Sequence, residues 1–302
     1  MTDPGTDPAE PRVVVVTGGS SGIGRATAHR LAGAGERLVL AARSEQALEA
    51  TRQECVARGA AGCLVVPTDI GDRADVERLF ATAVDAFGRV DAVVQAAGVV
   101  AYGTFTDVPP EVFDAVVRTN LTGTANVARC ALRQFGEQEH GSLVVVGSVL
   151  GKIATPLMSP YGTSKWAVHG LVRALQIEAR RTPGIHVSLV SPGSVDTPIY
   201  DQAASYSGHA GHPPPPVGRP ERSARTIVAA LDRPRRDVAV GPANAAMVLG
   251  FRLAPGLFDR LVGPLMSALG QGRRSLEPHP GNVLSPDPAK EAVHGRWPHV
   301  WG

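Results

Sequence analysis

Residues 17–24 read TGGSSGIG and stand between the apolar run VVVV at residues 13–16 and a helical pattern over residues 22–34. The glycines at 18, 22 and 24 suit a tight turn, close approach of the backbone to a pyrophosphate, and tight packing of helix on strand. The helix N-terminus offers free N–H groups and a positive dipole end to phosphates. A strand, a glycine loop and a helix in this order predict a dinucleotide site; a plain glycine-rich turn is the alternative.

Short β-branched runs and longer helical patterns alternate along most of the chain. Apolar runs without alternation indicate strands covered on both faces, and repeated βα units with right-handed crossovers give a doubly wound parallel sheet. We therefore predict the α/β class, a Rossmann fold in a three-layer α/β/α sandwich with a C-terminal helical extension. Strands are expected at residues 13–16, 38–40, 64–66, 90–96, 143–146, 186–190 and 238–240, and helices at 22–34, 44–58, 72–87, 110–135, 159–181 and 221–231.

The pattern divides the chain into three regions. Residues 1–11 are polar and Pro-rich, unlike a signal peptide, and are predicted to be disordered or flexible. Residues 12–241 are predicted to form the Rossmann-fold catalytic and dinucleotide-binding domain. Residues 242–302 are predicted to form helices at 243–253 and 257–269, where Pro264 would kink or shorten the second, and then an irregular tail. These helices would cover the substrate pocket, mediate dimer contacts or lie on a membrane surface.

Composition excludes several classes of function. Thirty basic and 28 acidic residues give a net charge of +2 without a basic stripe, which argues against nucleic-acid binding. Three scattered cysteines predict neither disulfides nor zinc, and the nine histidines show no metal-ligand spacing, so we expect no metal site. No uninterrupted apolar stretch of about 18 residues would span a bilayer. A cytoplasmic protein is expected.

Three residues predict proton-transfer chemistry. Tyr161 and Lys165 lie at i and i+4, on one face of a helix, and Ser148 precedes them at the end of a predicted strand. A free phenol has a pKa near 10, which is too high for ready proton exchange at neutral pH. A neighbouring ammonium and a positive nicotinamide ring would favour the phenolate and lower this pKa. A half-buried structural tyrosine is the alternative for Tyr161 taken alone.

The order of these motifs resembles the short-chain dehydrogenase/reductase family, over roughly residues 12–241. The resemblance rests on the GxxxGxG spacing, on QAAG at residues 95–98, on Asn120, on Ser148 with Tyr161 and Lys165, and on PG at residues 192–193 followed by a threonine. It implies a nicotinamide-dependent oxidoreductase in which Lys165 also donates to the nicotinamide ribose. Ser148 would hold the substrate oxygen, and Asn120 would fix a water that relays protons from Lys165. The family usually has Asn where this chain has Gln95, which puts the local hydrogen bonding in question.

The end of the second predicted strand bears on the choice of cofactor. Residues 41–44 read AARS, with no carboxylate to bind an adenosine ribose diol. Arg43 can pair with a 2′-phosphate, and Ser44 or Ser20 would add a hydroxyl. NADP(H) is therefore predicted over NAD(H), unless Arg43 is only a solvated charge. Asp69 resembles the residue that contacts the adenine amino group, or it is the N-cap of the next helix.

Together these inferences define an expected site and an expected ligand. Ile199, Tyr200 and Tyr206 are candidates for an apolar wall over the nicotinamide, and a hydrophobic small-molecule substrate and a homodimer or homotetramer are expected. The expected catalytic residues are Asn120, Ser148, Tyr161 and Lys165. The expected cofactor-binding residues are Gly18, Ser20, Ser21, Gly22, Ile23, Gly24, Arg43, Ser44, Asp69, Ile70, Ala97, Gly98, Tyr161, Lys165, Pro192, Gly193, Val195 and Thr197.

The predicted function is hydride transfer between NADP(H) and a carbonyl or secondary alcohol, with Tyr161 as general acid/base. The alternative is a catalytically idle NADP(H)-binding sensor or scaffold, but the residues whose loss would mark such a protein, Tyr161 and Lys165, are both present. A nucleotide-sugar epimerase or dehydratase would carry TGxxGxxG and a larger C-terminal domain, and neither is found in this sequence.

Overall fold

A computed structural model describes residues 10–299, apart from the side chains of residues 273 and 274. Residues 1–9, nearly all of the N-terminal region predicted to be flexible, lie outside this range. The last three residues, 300–302, also lie outside it.

A parallel sheet of seven strands forms the centre of the molecule, in the order β3-β2-β1-β4-β6-β7-β10. A short parallel pair, β5 and β8, and an antiparallel pair, β9 and β11, lie outside it. The strands are β1 Val13–Thr17, β2 Arg37–Ala42, β3 Gly62–Pro67, β4 Ala92–Gln95, β5 Ala101–Tyr102, β6 Gly141–Val146, β7 Ile185–Pro192, β8 Ala204–Ser205, β9 His209–Gly211, β10 Val238–Val240 and β11 Gln271–Ser275.

Helices cover both faces of this sheet, as the predicted doubly wound sandwich requires. Short 3₁₀ turns occur at Val149–Gly151, Ala179–Arg181 and Pro288–Lys290, and a π-helical turn occurs at Arg118–Thr122. The α-helices are α1 Gly22–Ala32, α2 Glu45–Ala57, α3 Arg73–Phe87, α4 Pro110–Val117, α5 Gly123–Gln138, α6 Ser159–Glu178, α7 Ile199–Gln202, α8 Pro220–Asp232, α9 Asn244–Leu253 and α10 Pro255–Leu269.

The unbroken apolar runs explain the two cores. In β1, Val13 and Val15 pack into one core with α3, α5 and α6, while Val14 and Val16 pack into the other with α1, α2 and α8. All four valines are fully buried, because a parallel strand is covered on both faces. The α/β class and the three-layer Rossmann architecture are therefore confirmed.

The structure differs from several of the predicted elements. The helix expected at residues 110–135 is interrupted by the π-helical turn, which contains Asn120. Pro264 lies inside α10 and does not end it, since the helix continues to Leu269. The expectation of an irregular tail is wrong for β11, which pairs with β9; neither strand has an apolar run to signal it.

The parallel arrangement brings the ends of β1, β2, β4, β6 and β7 to one edge of the sheet. Ligands of doubly wound sheets bind outside the carboxyl ends of the strands. The loops that follow these five strands carry most of the predicted site residues.

Candidate active site

The glycine loop between β1 and α1 is held in close contact with the end of β4. Gly18 has a φ of +67°, and a Cβ there would lie 2.7 Å from the backbone nitrogen of Ala97. A Cβ on Gly24 would lie 2.1 Å from the carbonyl oxygen of Gly18. Only glycine therefore fits at these two positions, and the N-terminus of α1 opens directly onto the carboxyl edge of the sheet.

A cleft of about 150 Å³ lies along this loop. It adjoins a larger cavity, since Ile199 lines both. Twelve of the predicted cofactor-binding residues line the cleft: Gly18, Ser20, Ser21, Gly22, Ile23, Gly24, Arg43, Asp69, Ile70, Ala97, Gly98 and Thr197.

Other predicted cofactor residues do not line the cleft. The Ser44 hydroxyl caps α2 by accepting a hydrogen bond from the Ala47 amide at 3.3 Å, so it is occupied within the fold. Pro192 ends β7, and Val195 is buried in a bridge with Gly218. Gly193 lines the larger cavity instead.

Asp69 lies on the cleft but is not an N-cap. The carboxylate of Asp72 caps α3, accepting from the Ala74 amide at 2.8 Å, so the N-cap alternative for Asp69 is wrong. Asp69 instead accepts a hydrogen bond from the Gly71 amide at 2.9 Å and forms an ion pair with Arg118.

Arg43 faces the cleft, and its guanidinium is already engaged. It donates to the carbonyl oxygens of Asn282 at 2.5 Å and Val283 at 3.2 Å, and burial lowers its pKa. Asn282 and Glu291 also line the cleft. The sequence analysis missed this contribution of the C-terminal tail, because contacts about 240 residues apart leave no local pattern.

Gln95, the departure from the family pattern, keeps β4 connected to its neighbours. Its side-chain oxygen accepts from Thr17, and its amide donates to the Thr124 hydroxyl at 3.0 Å and to the Ala97 carbonyl at 3.2 Å. The longer side chain thus links β1, β4 and α5, and the hydrogen bonding that was in question is satisfied.

Tyr161 and Ser148 meet at the wall of the larger cavity. Ser148 follows β6, and its hydroxyl accepts from the Leu150 amide at 3.1 Å; Tyr161 lines the same cavity wall. Burial raises the pKa of Tyr161 to about 12, and the Ser148 hydroxyl opposes this rise. The phenol is therefore neutral at ordinary pH and holds a proton that it can donate.

Lys165 lies one turn further along α6. Its Nζ donates to the Val146 carbonyl at 2.9 Å and lies 5.6 Å from the centroid of the Tyr161 ring. Burial lowers the pKa of Lys165 to about 8. A Cβ on Gly98 would be 3.9 Å from Nζ, so the amine lies close to the cleft wall.

Asn120 connects the π-helical turn to the loop after β4 and to α6. Its Oδ1 accepts from the Val99 amide at 2.9 Å, and its Nδ2 donates to the Val99 carbonyl and to the Ser164 hydroxyl, both at 3.0 Å. Ser164 in turn donates to the carbonyl of Tyr161 at 2.7 Å. Ser164, which the sequence analysis missed, therefore couples Asn120 to the helix that carries the tyrosine.

The larger cavity has a volume of about 480 Å³ and is lined mainly by apolar side chains. Ile199 and Tyr200 line it as predicted, whereas Tyr206 does not, because it packs against a separate cluster that contains Val108. Pro214, Pro215 and Pro216 also line it.

The helices α9 and α10 form the outer wall of this cavity. Asn244, at the start of α9, fixes them to the sheet by donating to the carbonyls of Ser191 and Val240, both at 3.2 Å. Met266 is buried in a cluster that also contains Tyr161 and Tyr200. Of the three roles expected for this extension, a cover over the substrate pocket fits these contacts. Leu257, Leu261 and Leu265 line the cavity and also remain partly exposed.

His169 is packed against the backbone. Its ring fills the space beside Gly147 and Gly151, where a Cβ would lie within 2.6 Å of ring atoms, and burial lowers its pKa to about 4. Across residues 10–299, no cluster of side chains suited to a metal ion is found. The same part of the chain contains no helix that is long and apolar enough to cross a membrane.

Comparison with known families identifies the class of protein. The family described as short chain dehydrogenase matches residues 12–206. The chain belongs to the short-chain dehydrogenase/reductase family and is an oxidoreductase of a family that uses nicotinamide cofactors. Enzymes of this kind act on alcohol and carbonyl groups of small molecules.

Two relatives resemble the chain over most of its extent. An uncharacterized oxidoreductase of Bacillus subtilis, YxnA, is 33% identical over 276 residues, 90% of this chain and 77% of the relative. Dehydrogenase/reductase SDR family member 7B of Bos taurus is 32% identical over 260 residues, 83% of this chain and 80% of the relative.

Solved structures resemble about three quarters of the chain. Levodione reductase matches with a TM-score of 0.70 at 28% identity, covering 78% of this chain and 98% of that one. An alcohol dehydrogenase from the archaeon Thermococcus sibiricus, complexed with 5-hydroxy-NADP, matches with a TM-score of 0.66 at 28% identity, covering 76% and 95%.

The burial of Lys165 predicts a pH-dependent stability. Its pKa is about 8 in the folded protein and 10.5 ordinarily, so between pH 8 and 10 the folded state releases the proton while the unfolded state keeps it. The free energy of unfolding should therefore rise with pH across this window, by about 2 kcal/mol relative to Lys165→Met. Urea unfolding at several pH values measures this difference. Equal pH dependence in the two proteins would show that Lys165 is not buried in this way.

Proposed function

We propose that this protein catalyses hydride transfer between NADP(H) and a carbonyl or secondary alcohol of an apolar molecule, with Tyr161 as the general acid/base. The observation that carries the proposal is the presence of Tyr161 and Ser148 together on the wall of an apolar cavity that adjoins the cleft of the glycine loop. A bound nicotinamide would supply the hydride, and the protein would supply orientation and the proton.

The proton chemistry follows from burial. A neutral Tyr161 donates to the oxygen of a carbonyl that is being reduced, and Ser148 holds that oxygen by a second hydrogen bond. Lys165 stabilises the phenolate that results, because its ammonium lies 5.6 Å from the ring. Asn120 acts by positioning α6 through Ser164, and we propose that it also fixes a water on the path from Lys165 to solvent.

The glycine loop has the donors that a dinucleotide needs. The N-terminus of α1 faces the cleft, and the absence of Cβ atoms at Gly18 and Gly24 shapes its floor. The hydroxyls of Ser20 and Ser21 and the guanidinium of Arg43 line the same cleft. These residues would hold the phosphates, and Asp69 and Thr197 line the wall beside them.

Arg43 supports NADP(H) as the preferred cofactor. No carboxylate follows β2 to bind a ribose diol, and a guanidinium pairs well with a 2′-phosphate. This pairing requires Arg43 to exchange the carbonyls of Asn282 and Val283 for the phosphate.

The cavity favours an apolar substrate. At about 480 Å³ it is large enough for a small organic molecule, and its walls of leucine, valine, proline and methionine offer few hydrogen-bond partners. The polar groups of Ser148 and Tyr161 lie at one side, where they would orient a single oxygen. A hydrophobic ketone or alcohol satisfies both features.

An idle sensor or scaffold is not favoured. Such a protein has no use for a paired serine and tyrosine beside an apolar cavity, and the chain belongs to a family of oxidoreductases.

Replacing the tyrosine tests the proposed acid. Tyr161→Phe removes only the hydroxyl, so kcat for reduction of an apolar ketone should fall at least about 100-fold while the Kd for NADPH stays within twofold. Steady-state kinetics and a fluorescence titration with NADPH measure the two quantities. Tyr206→Phe is the matched control, because this ring packs away from the cavity and should keep full activity. Turnover that survives in Tyr161→Phe would refute the mechanism.

Replacing the arginine tests the cofactor preference. Arg43→Ala should lower the ratio of NADH Kd to NADPH Kd at least about tenfold, because the charge-assisted contact to the 2′-phosphate is lost. The ratio is the proper readout, since Arg43 also holds the tail and its loss alters binding of both cofactors. Arg30→Ala, on the exposed surface of α1, serves as the control. A wild-type protein that binds both cofactors equally would contradict the assignment.

A further inference from the structure

Residues 282–292, which we call the strap, run across the dinucleotide cleft. Asn282, Pro286 and Glu291 line that cleft directly. The cleft measures about 150 Å³, and residues of the strap form one of its walls, so the strap takes up space beside the glycine loop that a dinucleotide would need.

The strap accepts the hydrogen bonds that groups at the start of α1 would donate to a phosphate. The backbone amide of Gly22 donates to the Ala292 carbonyl at 2.8 Å, and the Ser21 hydroxyl donates to the same oxygen at 3.1 Å. Free N–H groups at a helix N-terminus are what binds an anion in such folds. Ala292 therefore takes the position of an acceptor that the cofactor would provide.

The strap also binds the guanidinium of Arg43, which lines the cleft. Arg43 donates to the carbonyls of Asn282 and Val283. Neutral carbonyls are weaker partners for a guanidinium than a doubly charged phosphate. Arg43 can therefore exchange one set of acceptors for the other.

Glu291 brings a carboxylate into the same place. Burial raises the pKa of Glu291, although the Ser20 hydroxyl and the charges of Arg43 and Arg25 act to lower it. Its Oε2 is buried without a hydrogen-bond partner among the described residues. A buried carboxylate with one unsatisfied oxygen is a costly arrangement for a purely structural contact. It would also repel the phosphates of a dinucleotide.

Further contacts, which involve none of the groups that would bind a phosphate, keep the strap near the cleft. Gln202 donates to the Lys290 carbonyl at 3.1 Å and its backbone carbonyl accepts from the Asn282 amide at 2.8 Å. Beyond the strap, Asp196 accepts from the Trp297 amide at 3.0 Å and pairs with His299 at 2.8 Å. The tail is thus held at both ends of the strap. Between these ends, the hydrogen-bond donors that contact the strap are groups that could donate to a phosphate instead.

We propose that the strap is an intramolecular competitor of the dinucleotide, which has to leave the cleft before either cofactor binds. This inference rests on the proposed function, because it takes the cleft to be the cofactor site, and it adds regulation of that site. The apparent Kd of the cofactor is the intrinsic Kd divided by the fraction of molecules whose strap is open. Since this fraction is a property of the protein alone, the strap weakens NADPH and NADH binding by the same factor.

Deletion of residues 282–302 gives the first test. Both Kd values, measured by fluorescence titration, should decrease by the same factor, of at least about fivefold, while their ratio stays unchanged. Unchanged Kd values would overturn the proposal, and increased values would overturn it by showing that the tail helps to bind the cofactor. If neither the intact nor the shortened protein binds a dinucleotide, the proposed function itself is wrong.

A point variant keeps the test independent of the truncated fold. Glu291→Ala removes the carboxylate from the cleft and should also decrease both Kd values by a common factor, whereas Glu277→Ala, at an exposed position outside the strap, should leave them unchanged. Equal affinities in the two variants would contradict the proposal.

Hydrogen exchange distinguishes a competitor from a lid that closes over bound cofactor. In the intact protein, saturating NADPH should increase amide exchange in peptides that cover residues 282–292, because the strap is displaced. Slower exchange in these peptides would show that the segment closes over the cofactor, and would overturn the competitor.

Discussion

The contact between Gly24 and the carbonyl of Gly18 is the constraint on which the site depends. Because no Cβ intervenes, α1 starts immediately beside the end of β1, and its first N–H groups face the carboxyl edge of the sheet. The close approach of Gly18 to Ala97 holds the end of β4 against the same turn. The cleft between them is thus a consequence of backbone packing, and the side chains that line it are placed by the strands that precede them.

Burial sets the chemistry at the other end of the site. It moves the pKa of Tyr161 up and that of Lys165 down, so both groups favour their neutral forms relative to water. Tyr161 and Lys165 are held in position by contacts with Ser148, Val146 and Ser164. They are therefore already in place when a bound cofactor or a developing oxyanion introduces charge into this region. Rigid positioning of this kind is what the protein contributes to hydride transfer.

The sequence predicted the sheet and the catalytic helix well, because valine runs such as residues 13–16 and the spacing of Tyr161 and Lys165 are local signals. It failed where contacts are long-range. Nothing near Arg43 indicates that carbonyls of Asn282 and Val283 would hold it, and nothing near Glu291 indicates a place in the cleft. Asp69 and Asp72 illustrate a smaller limit, since both are plausible caps and only the backbone geometry selects Asp72.

The central claim is that the glycine-loop cleft and the Tyr161 cavity form one oxidoreductase site. The most direct test follows deuterium from C4 of the reduced cofactor to the product. The protein would be incubated with NADPH and, separately, with NADH, each carrying deuterium at both hydrogen positions of C4, together with an apolar ketone, and the alcohol analysed by mass spectrometry. The account predicts one deuterium on the carbinol carbon, and none in water. Hydrogen from the solvent at that carbon would contradict it.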